Sequence, residues 1–500
     1  MSKTRKGVLN VVSALLDQML GVVTNLLITP AILAGIGPVA FGFWEFARNN
    51  VAQLGVLDGR SAEVLKWKLA ATSETASAQE RQQDFGAALL SFLAFLPLLL
   101  IGFALLIWVA PSLGIACDLP PTTVRWVTAL LALNALIISV TAFWQGILRG
   151  MNLAYKRMGL RGLITISGGI ASWLTVTRGG GLVQLALILI ATSVVNGISL
   201  YVVLRRTLKW FGLSRPTRAN FKSTLRQSTW FSVWVFIGTT LGSADILLAG
   251  LMLGAATITD YTVCRYFSLL IPVFSSTAFS AILPGIASEI GKKNMTRVLD
   301  LYTEAATVGR WIGLAFCIPA LLVNEAFVTL WVGPSHYLGP ATNFLISLAT
   351  YQAFINGQDS AFLDILLSMR EKIIMSVISL IIFLVAALAL VPSHGIMGMC
   401  LALVISRLFL QIVYPNIITK AVHATASTAR ALRWKSLIPF TILGIVALMQ
   451  TQLPMPSSWL TTITAGTAAF IAALIFTLPI CVDRAYRSRL LKRSKALVGL

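Results

Sequence analysis

Apolar runs of about 20 residues recur from one end of this 500-residue chain to the other. A helix of that length crosses the hydrocarbon core of a bilayer, which is roughly 30 Å thick. No water reaches the backbone there, so each N–H and C=O group needs a partner within its own helix. Composition agrees, because 57% of the residues are apolar and only 11% are charged. The sequence therefore predicts an all-α polytopic membrane protein.

Fourteen such segments are predicted, and glycines and prolines separate most of them. Their ranges are 8–33, 39–65, 85–110, 122–147, 158–177, 181–204, 228–252, 257–283, 302–323, 338–366, 373–391, 395–419, 436–453 and 458–482. The first resembles a signal peptide, because Lys3, Arg5 and Lys6 precede its apolar run. That run is too long, contains Asp17 and shows no convincing cleavage site, so we interpret it as a retained first helix.

Lysines and arginines predict which ends of the segments face the cytoplasm. If the N-terminus is cytoplasmic, 33 of the 39 lysines and arginines fall in inside loops or at the two ends of the chain. Two more fall in outer loops, and four lie within spans, namely Arg48, Arg265, Arg310 and Arg407. This asymmetry predicts that both termini are cytoplasmic. It also explains the net charge of +21 without a nucleic-acid partner.

One short stretch occurs twice, as Gly37–Arg48 (GPVAFGFWEFAR) and, 217 positions later, as Gly254–Arg265 (GAATITDYTVCR). Each copy follows an apolar segment, turns at its glycine and enters a second apolar segment that carries one arginine. An arginine inside a bilayer costs several kcal/mol unless it faces a cavity or a partner. The repeat therefore predicts a two-lobed membrane protein with a cationic site between its lobes.

The longest basic loop divides the predicted spans into two sets of six. We predict an N-terminal six-helix lobe at 1–204, a basic cytoplasmic linker at 205–227 and a C-terminal six-helix lobe at 228–420. Residues 421–500 then form an additional helix pair and a basic cytoplasmic tail. Because both lobes start from the cytoplasm, the repeat is parallel, with its pseudo-two-fold axis along the membrane normal. Substrate sites in such repeats lie between the halves.

Polar side chains at helical spacing predict which helix faces line a hydrated cavity. They lie on the first, second, tenth and twelfth spans, and the repeated arginine of the eighth span joins them. The predicted substrate-binding residues are Asn25, Arg48, Asn49, Gln53, Arg265, Gln352, Asn356 and Arg407. The predicted ion-coupling carboxylates are Asp17, Asp359 and Asp364. Helix-to-helix hydrogen bonds and buried ion pairs, such as Asp359 or Asp364 with Arg407, are the alternative interpretation.

Several longer stretches carry a family resemblance, among them LLITPAILAGIGPVAFGFW, AQLGVLDG, ILRGMNLAYKR, ADILLAGLMLGAATITDYTVCRYFSLL and AILPGIASEIGKKNMTRVLDLY. Through them nearly the whole chain resembles the polysaccharide (O-antigen/exopolysaccharide, Wzx-type) flippase family of the multidrug/oligosaccharidyl-lipid/polysaccharide exporter superfamily. The resemblance implies two lobes in a V, alternating access and a cationic cavity for a pyrophosphate or sugar acids. Related lipid II flippases carry arginines on their second and eighth helices, where Arg48 and Arg265 stand. They also carry arginines on helix one, where this chain has Asp17 and Asn25 instead.

The resemblance implies a transporter that flips a polyprenyl-pyrophosphate-linked oligosaccharide from the cytoplasmic to the outer leaflet of the inner membrane. Guanidinium groups suit this cargo, because they bind phosphate bidentately and stay charged when desolvated. The chain has no Walker G-x-x-x-x-G-K-[ST] motif, so the energy must come from elsewhere, and an ion gradient is one candidate source. The expected partners are the lipid-linked substrate, membrane lipids and polysaccharide polymerase or assembly proteins. We expect no cofactor, no metal and no enzymatic activity.

Two other functions are compatible with a multi-span chain. A drug antiporter of the same superfamily would need a cavity dominated by carboxylates rather than arginines. A membrane-embedded polysaccharide polymerase or ligase would need a sizeable outer loop for its chemistry, whereas the predicted outer connections are short. The three histidines, His336, His394 and His423, also show no grouping.

Overall fold

The computed structural model describes residues 3–72, 76–113, 115, 118–280, 286, 289–290, 292–366, 368–423, 426–482 and 487. Within these ranges the chain forms fourteen α-helices and no β-strand. The helices are α1 (Lys3–Ile36), α2 (Pro38–Leu54), α3 (Ser61–Ala71), α4 (Ala78–Val109), α5 (Pro121–Gly150), α6 (Leu160–Thr177), α7 (Leu182–Thr207), α8 (Arg218–Leu253), α9 (Ala255–Ser280), α10 (Met295–Trp331), α11 (Pro340–Ile365), α12 (Met369–Ala421), α13 (Ala426–Gln450) and α14 (Trp459–Cys481). The predicted all-α architecture is confirmed.

Among the described residues, eight helices are long and apolar enough to cross a membrane, namely α1, α4, α5, α7, α8, α10, α12 and α14. The α12 segment contains both the eleventh and the twelfth predicted spans, and its helix is broken between them at Gly395, where φ is 56° and ψ is −134°. The α2 and α11 helices, which carry two of the predicted polar stripes, are outside this group of eight. The number and hydropathy of the long helices are those of a multi-pass membrane protein.

The structure interrupts the second predicted span, 39–65, with a turn. A one-turn 3-10 helix, Gly55–Asp58, follows α2, and the next residues, Gly59 and Arg60, have left-handed backbone angles with φ of 77° and 47°. The Asp58 carboxylate accepts the backbone N–H of Arg60 at 2.8 Å, which closes the turn. The span is therefore two helices, α2 and α3, and a continuous apolar pattern alone did not reveal the break.

The two copies of the repeated stretch have the same backbone turn. Gly37, between α1 and α2, has φ 81° and ψ 164°. Gly254, between α8 and α9, has φ 85° and ψ 176°. Only glycine adopts this region without strain. The turn predicted at the glycine of each copy is therefore present, with closely similar geometry.

Packing divides the chain into two compact units, Met1–Thr259 and Asp260–Leu500. In the first unit α1 packs on α6, and α5 packs on both α3 and α7. In the second, α10 packs on α11, α13 and α14, and α11 packs on α12. The unit boundary lies beyond the 205–227 segment, so the predicted division into lobes of 1–204 and 228–420 stays a prediction. Most of the predicted basic tail lies outside the described residues.

Two glycines let α3 and α5 approach each other closely in the first unit. A Cβ atom on Gly146 would lie 2.7 Å from the carbonyl oxygen of Ala62, and one on Gly150 would lie 2.7 Å from that of Lys66. Such spacing of small residues brings helix backbones into contact within a membrane. This contact holds the last turn of α5, which carries Arg149, against α3.

Candidate functional site

Three neighbouring cavities lie inside the first unit. The basic cavity, of about 430 Å³, is lined by Asn10, Asp17, Gln145, Arg149, Arg157 and Arg161, among others. The middle cavity, of about 410 Å³, shares Gln145, Arg157 and Arg161 with it and adds Asn25, Trp44 and Arg48. The polar cavity, of about 510 Å³, shares Arg48 with the middle cavity and adds Glu45, Asn49, Asn134 and Ser139. Because adjacent cavities share lining side chains, they form one row.

Three arginines of the basic cavity come from a single chain connection. Arg149 lies in the last turn of α5, Arg157 ends the 3-10 helix Ala154–Arg157, and Arg161 follows in the first turn of α6. We refer to these three residues as the arginine trio. Asn10 of α1 holds the connection in place, because its amide oxygen accepts the backbone N–H of Tyr155 at 2.7 Å. The connection therefore folds against α1.

Arg157 is the most enclosed member of the trio. Its side chain is buried, with the whole residue only 6% exposed, and its guanidinium donates a hydrogen bond to the amide oxygen of Asn196 on α7. Its Nε atom is buried and has no hydrogen-bond partner. Burial, followed by repulsion from Arg161, lowers the pKa of Arg157 to about 10. The guanidinium therefore stays protonated at neutral pH and has an unused donor.

Asp17 faces the arginine trio from α1. All three guanidinium groups, together with the backbone N–H of Gly162, act electrostatically on its carboxylate. One of its oxygens, Oδ1, is buried and has no hydrogen-bond partner. Buried polar atoms in proteins are normally paired, so an unpaired donor and an unpaired acceptor at one cavity are consistent with a ligand site.

Arg48 links the middle and polar cavities. Its guanidinium donates to the Glu45 carboxylate one turn earlier at 2.8 Å, and it lies over the Trp44 ring at 5.9 Å from the centroid. The side chain is 46% exposed. Sequence analysis predicted Arg48 and Asn25 as substrate-binding residues, and both line the middle cavity.

Asn49 and Gln53 make contacts between helices of the first unit. The Asn49 amide donates to the Ser243 carbonyl of α8 at 3.4 Å, although Asn49 also lines the polar cavity. The Gln53 amide donates to the Thr239 carbonyl at 3.3 Å and to the Ser243 hydroxyl. Gln53 is not among the residues that line the three cavities.

The predicted site residues of the second unit lie between its helices. The Gln352 amide donates to the Val404 carbonyl at 3.1 Å, and the Asn356 amide donates to the Arg407 carbonyl at 2.9 Å. Arg407 in turn donates to the Ala349 carbonyl at 2.8 Å. These bonds join α11 to α12.

Arg265, on α9, lies over the Tyr261 ring at 4.9 Å from the centroid, in the manner of Arg48.

The two predicted coupling carboxylates of the second unit have different partners. Asp359 is buried and accepts a hydrogen bond from the Tyr302 hydroxyl at 3.0 Å. Asp364 accepts from the ammonium group of Lys372, whose side chain is fully buried. Within the described ranges, no group of three or more His, Cys, Asp or Glu side chains is arranged to hold a metal ion.

Sequence analysis did not identify the arginine trio as part of a site. The lysine and arginine count placed all three in a cytoplasmic loop, and Arg149 and Arg157 also fall in the family stretch ILRGMNLAYKR. The available signal was their position beside Gly146 and Gly150, whose spacing predicts close helix packing. Asn196, which binds Arg157, also lies on a span that carried no predicted site residue.

The family model described as "Polysaccharide biosynthesis protein" matches residues 5–289, which is more than half of the chain. The chain belongs to this family. The matched range contains both copies of the repeated stretch and all three cavities of this polysaccharide biosynthesis protein. The predicted membership of the polysaccharide flippase family is thereby confirmed.

The chain is 26% identical over 158 residues to "Uncharacterized membrane protein EpsK" of Bacillus subtilis (strain 168), and the match covers 30% of each chain. Its fold is similar to that of lipid II flippase MurJ in an inward closed conformation, with a TM-score of 0.68 and 13% identity over 95% of this chain and 100% of that chain. The MATE multidrug transporter DinF-BH has a TM-score of 0.61 and 16% identity, covering 85% of this chain and 98% of that one. At these identities the structures share a fold.

Proposed function

We propose that this polysaccharide biosynthesis protein is a flippase that moves a polyprenyl-pyrophosphate-linked oligosaccharide from the cytoplasmic to the outer leaflet of the inner membrane. The observation that carries the proposal is the arginine trio, with Arg157 buried in a cavity of the first unit. Family membership supports the link to polysaccharide synthesis. Both termini are cytoplasmic in this proposal, and polysaccharide polymerase or assembly proteins are the partners that receive the flipped substrate.

The physical chemistry of the cargo explains why such a cavity is needed. The sugar-pyrophosphate head group is charged and hydrated, so it cannot cross hydrocarbon unaided, whereas the polyprenyl tail can remain in lipid. Guanidinium groups bind phosphate oxygens bidentately and keep their charge in a dry cavity. The trio therefore binds the pyrophosphate in our proposal. The amide and hydroxyl groups of Asn25, Asn134 and Ser139, which line the next two cavities, are suited to sugar hydroxyls.

A drug/cation antiporter is the main alternative, since a MATE multidrug transporter shares the fold. An organic cation would need a cavity that carries negative charge. The described residues around the basic cavity include three arginines and one carboxylate, Asp17. This charge balance favours an anionic cargo.

Paired substitutions within one 3-10 helix test the proposal. Arg157→Ala removes the buried guanidinium, whereas Lys156→Ala removes an equal charge from an exposed neighbour that does not line the cavities. In proteoliposomes that contain a fluorescent lipid-linked oligosaccharide, Arg157→Ala should lose most flipping and Lys156→Ala should retain it. Equal flipping by wild type and Arg157→Ala would remove the trio from the mechanism. No flipping by the wild-type protein would contradict the proposed substrate.

A further inference from the structure

We propose that Asp17 is a displaceable internal counter-anion of the arginine trio. In the empty carrier its carboxylate neutralises part of the trio's charge, and the pyrophosphate of the substrate takes its place when it binds. This inference rests on the proposed function. It also gives Asp17 a role different from the ion coupling that its position in the first span predicts.

The charge of the basic cavity fits this exchange. Among its described lining residues, Arg149, Arg157 and Arg161 carry three positive charges and Asp17 carries one negative charge, so the net charge is +2. A pyrophosphate esterified at both ends carries about two negative charges at neutral pH. The loaded cavity is therefore close to neutral when Asp17, moved aside by the pyrophosphate, stays ionised at the edge of the cavity. An uncharged residue at position 17 would leave the loaded cavity positive.

The contacts of Asp17 differ from those of carboxylates that hold the fold together. Asp58 accepts a backbone N–H at 2.8 Å, and Asp364 accepts directly from a lysine ammonium group. Asp17 also interacts with a backbone N–H, that of Gly162, but its Oδ1 atom is buried and has no hydrogen-bond partner. A carboxylate held mainly by charge, with an unused oxygen, can be moved aside at a smaller loss of hydrogen bonding.

The position of Asp17 also allows displacement. It lies on α1, four residues before Gly21, and a Cβ atom at Gly21 would meet nothing within 4 Å. The space beside Gly21, one helical turn from Asp17, is therefore open. The Nε atom of Arg157, which has no hydrogen-bond partner in the empty cavity, is then available to a phosphate oxygen.

A counter-anion of this kind lowers the affinity of the trio for the pyrophosphate, and this allows the substrate to be released. Three arginines without any carboxylate would bind a pyrophosphate strongly, and a carrier that binds too strongly releases its cargo slowly. Asp17 returns to the trio as the substrate leaves, so the empty carrier does not hold three uncompensated charges in one cavity. Removing its charge should therefore tighten binding and slow transport at the same time.

Equilibrium binding to the full-length protein in lipid nanodiscs tests the inference, with farnesyl diphosphate as the probe and farnesol as the uncharged control ligand. The probe is esterified at one end only, so it carries about three negative charges at neutral pH. Asp17→Asn should lower the dissociation constant for farnesyl diphosphate roughly tenfold, as expected when a nearby like charge is removed. Asp17→Ser, which also removes the charge, covers the case in which the Asn variant does not insert. Glu63→Gln removes a carboxylate from α3, outside the three cavities, and should leave binding unchanged.

The outcomes separate this inference from the proposed function. Tighter binding by both Asp17 variants, with weaker binding by Arg157→Ala, supports the counter-anion role. Unchanged or weaker binding by the Asp17 variants, while Arg157→Ala still loses the probe, overturns the inference and leaves the site intact. Binding that is the same in wild type and Arg157→Ala overturns the pyrophosphate site itself. In the flipping assay, Asp17→Asn should be slower than wild type, and an unchanged or faster rate would contradict the release argument.

Discussion

The guanidinium of Arg48 lies over the indole ring of Trp44, 5.9 Å from the ring centroid. The same relationship recurs in the second unit, where Arg265 lies over the ring of Tyr261 at 4.9 Å. In both cases the aromatic residue precedes the arginine by four positions and follows a glycine turn of closely similar geometry. An aromatic face stabilises a cation placed over it. Each copy of the repeat therefore places its arginine over the aromatic ring that lies four residues earlier.

Substitution of the two repeated arginines should distinguish a binding role from a structural one. Arg48→Ala and Arg265→Ala should each stop polysaccharide export while membrane abundance stays near normal. Lysine at either position should restore export only partly, because an ammonium group lacks the planar fork of donors. Export and abundance need to be measured in the same cells. Depleted alanine variants would instead indicate a structural ion pair, and abundant, active ones would exclude both arginines from transport.

Glycine packing beneath the arginine trio should be sensitive to a single methyl group. Gly146→Ala places a Cβ atom 2.7 Å from the Ala62 carbonyl, so α3 and α5 must separate. We expect a loss of about 1–3 kcal/mol in stability, the usual range for overpacking. Thermal unfolding of the variant and the wild-type protein in detergent measures this loss of stability. Gly238→Ala on α8, where a Cβ atom meets nothing within 4 Å, is the matched control and should be stable. Equal stability of both variants would contradict the close helix contact.

Asp359 and Asp364 should respond differently to neutralisation. Asn at position 359 can still accept the Tyr302 hydroxyl, so Asp359→Asn should insert normally and lose gradient-driven flipping if this carboxylate couples an ion. Asp364→Asn removes the carboxylate to which the buried Lys372 donates, and should lower stability by about 1–3 kcal/mol because the pair is only partly buried.

Membrane abundance and flipping with and without an ion gradient measure both effects. The double variant Asp364→Asn/Lys372→Met removes both charges and should recover abundance relative to Asp364→Asn alone. Full gradient-driven flipping by Asp359→Asn would exclude it as the coupling group. Normal abundance of Asp364→Asn would show that its bond to Lys372 does not hold the fold.

Orientation in the membrane is testable with reporter fusions. The distribution of lysines and arginines predicts cytoplasmic signals from fusions after Arg218 and Lys293, and external signals from fusions near Gly180 and Ser335. Alkaline phosphatase activity reports the external side. If the fusions at Gly180 and Ser335 report opposite sides, the predicted fourteen-span topology fails.

The sequence by itself determined the helical membrane architecture and the repeated turns, because these depend on local properties. The length of an apolar run decides whether a helix can span a bilayer, and Gly37 and Gly254 adopt a backbone region that other residues avoid. Local pattern also placed Arg48 on the correct helix, with Trp44 one turn before it. The apolar pattern did not reveal the break after α2, although the hydrogen bond from the Arg60 N–H to Asp58 that closes this turn is also local.

Only the tertiary structure decided which polar residues share a cavity. Asp17 and Arg157 are far apart in the chain and meet because Asn10 on α1 fixes the connection between α5 and α6. Gln352 and Asn356 were predicted to line a cavity because they form a polar stripe at helical spacing. In the structure they instead donate hydrogen bonds from α11 to backbone carbonyls of α12. Helical periodicity identifies a polar face, but the packing of the neighbouring helix decides whether that face meets a backbone carbonyl or an open cavity.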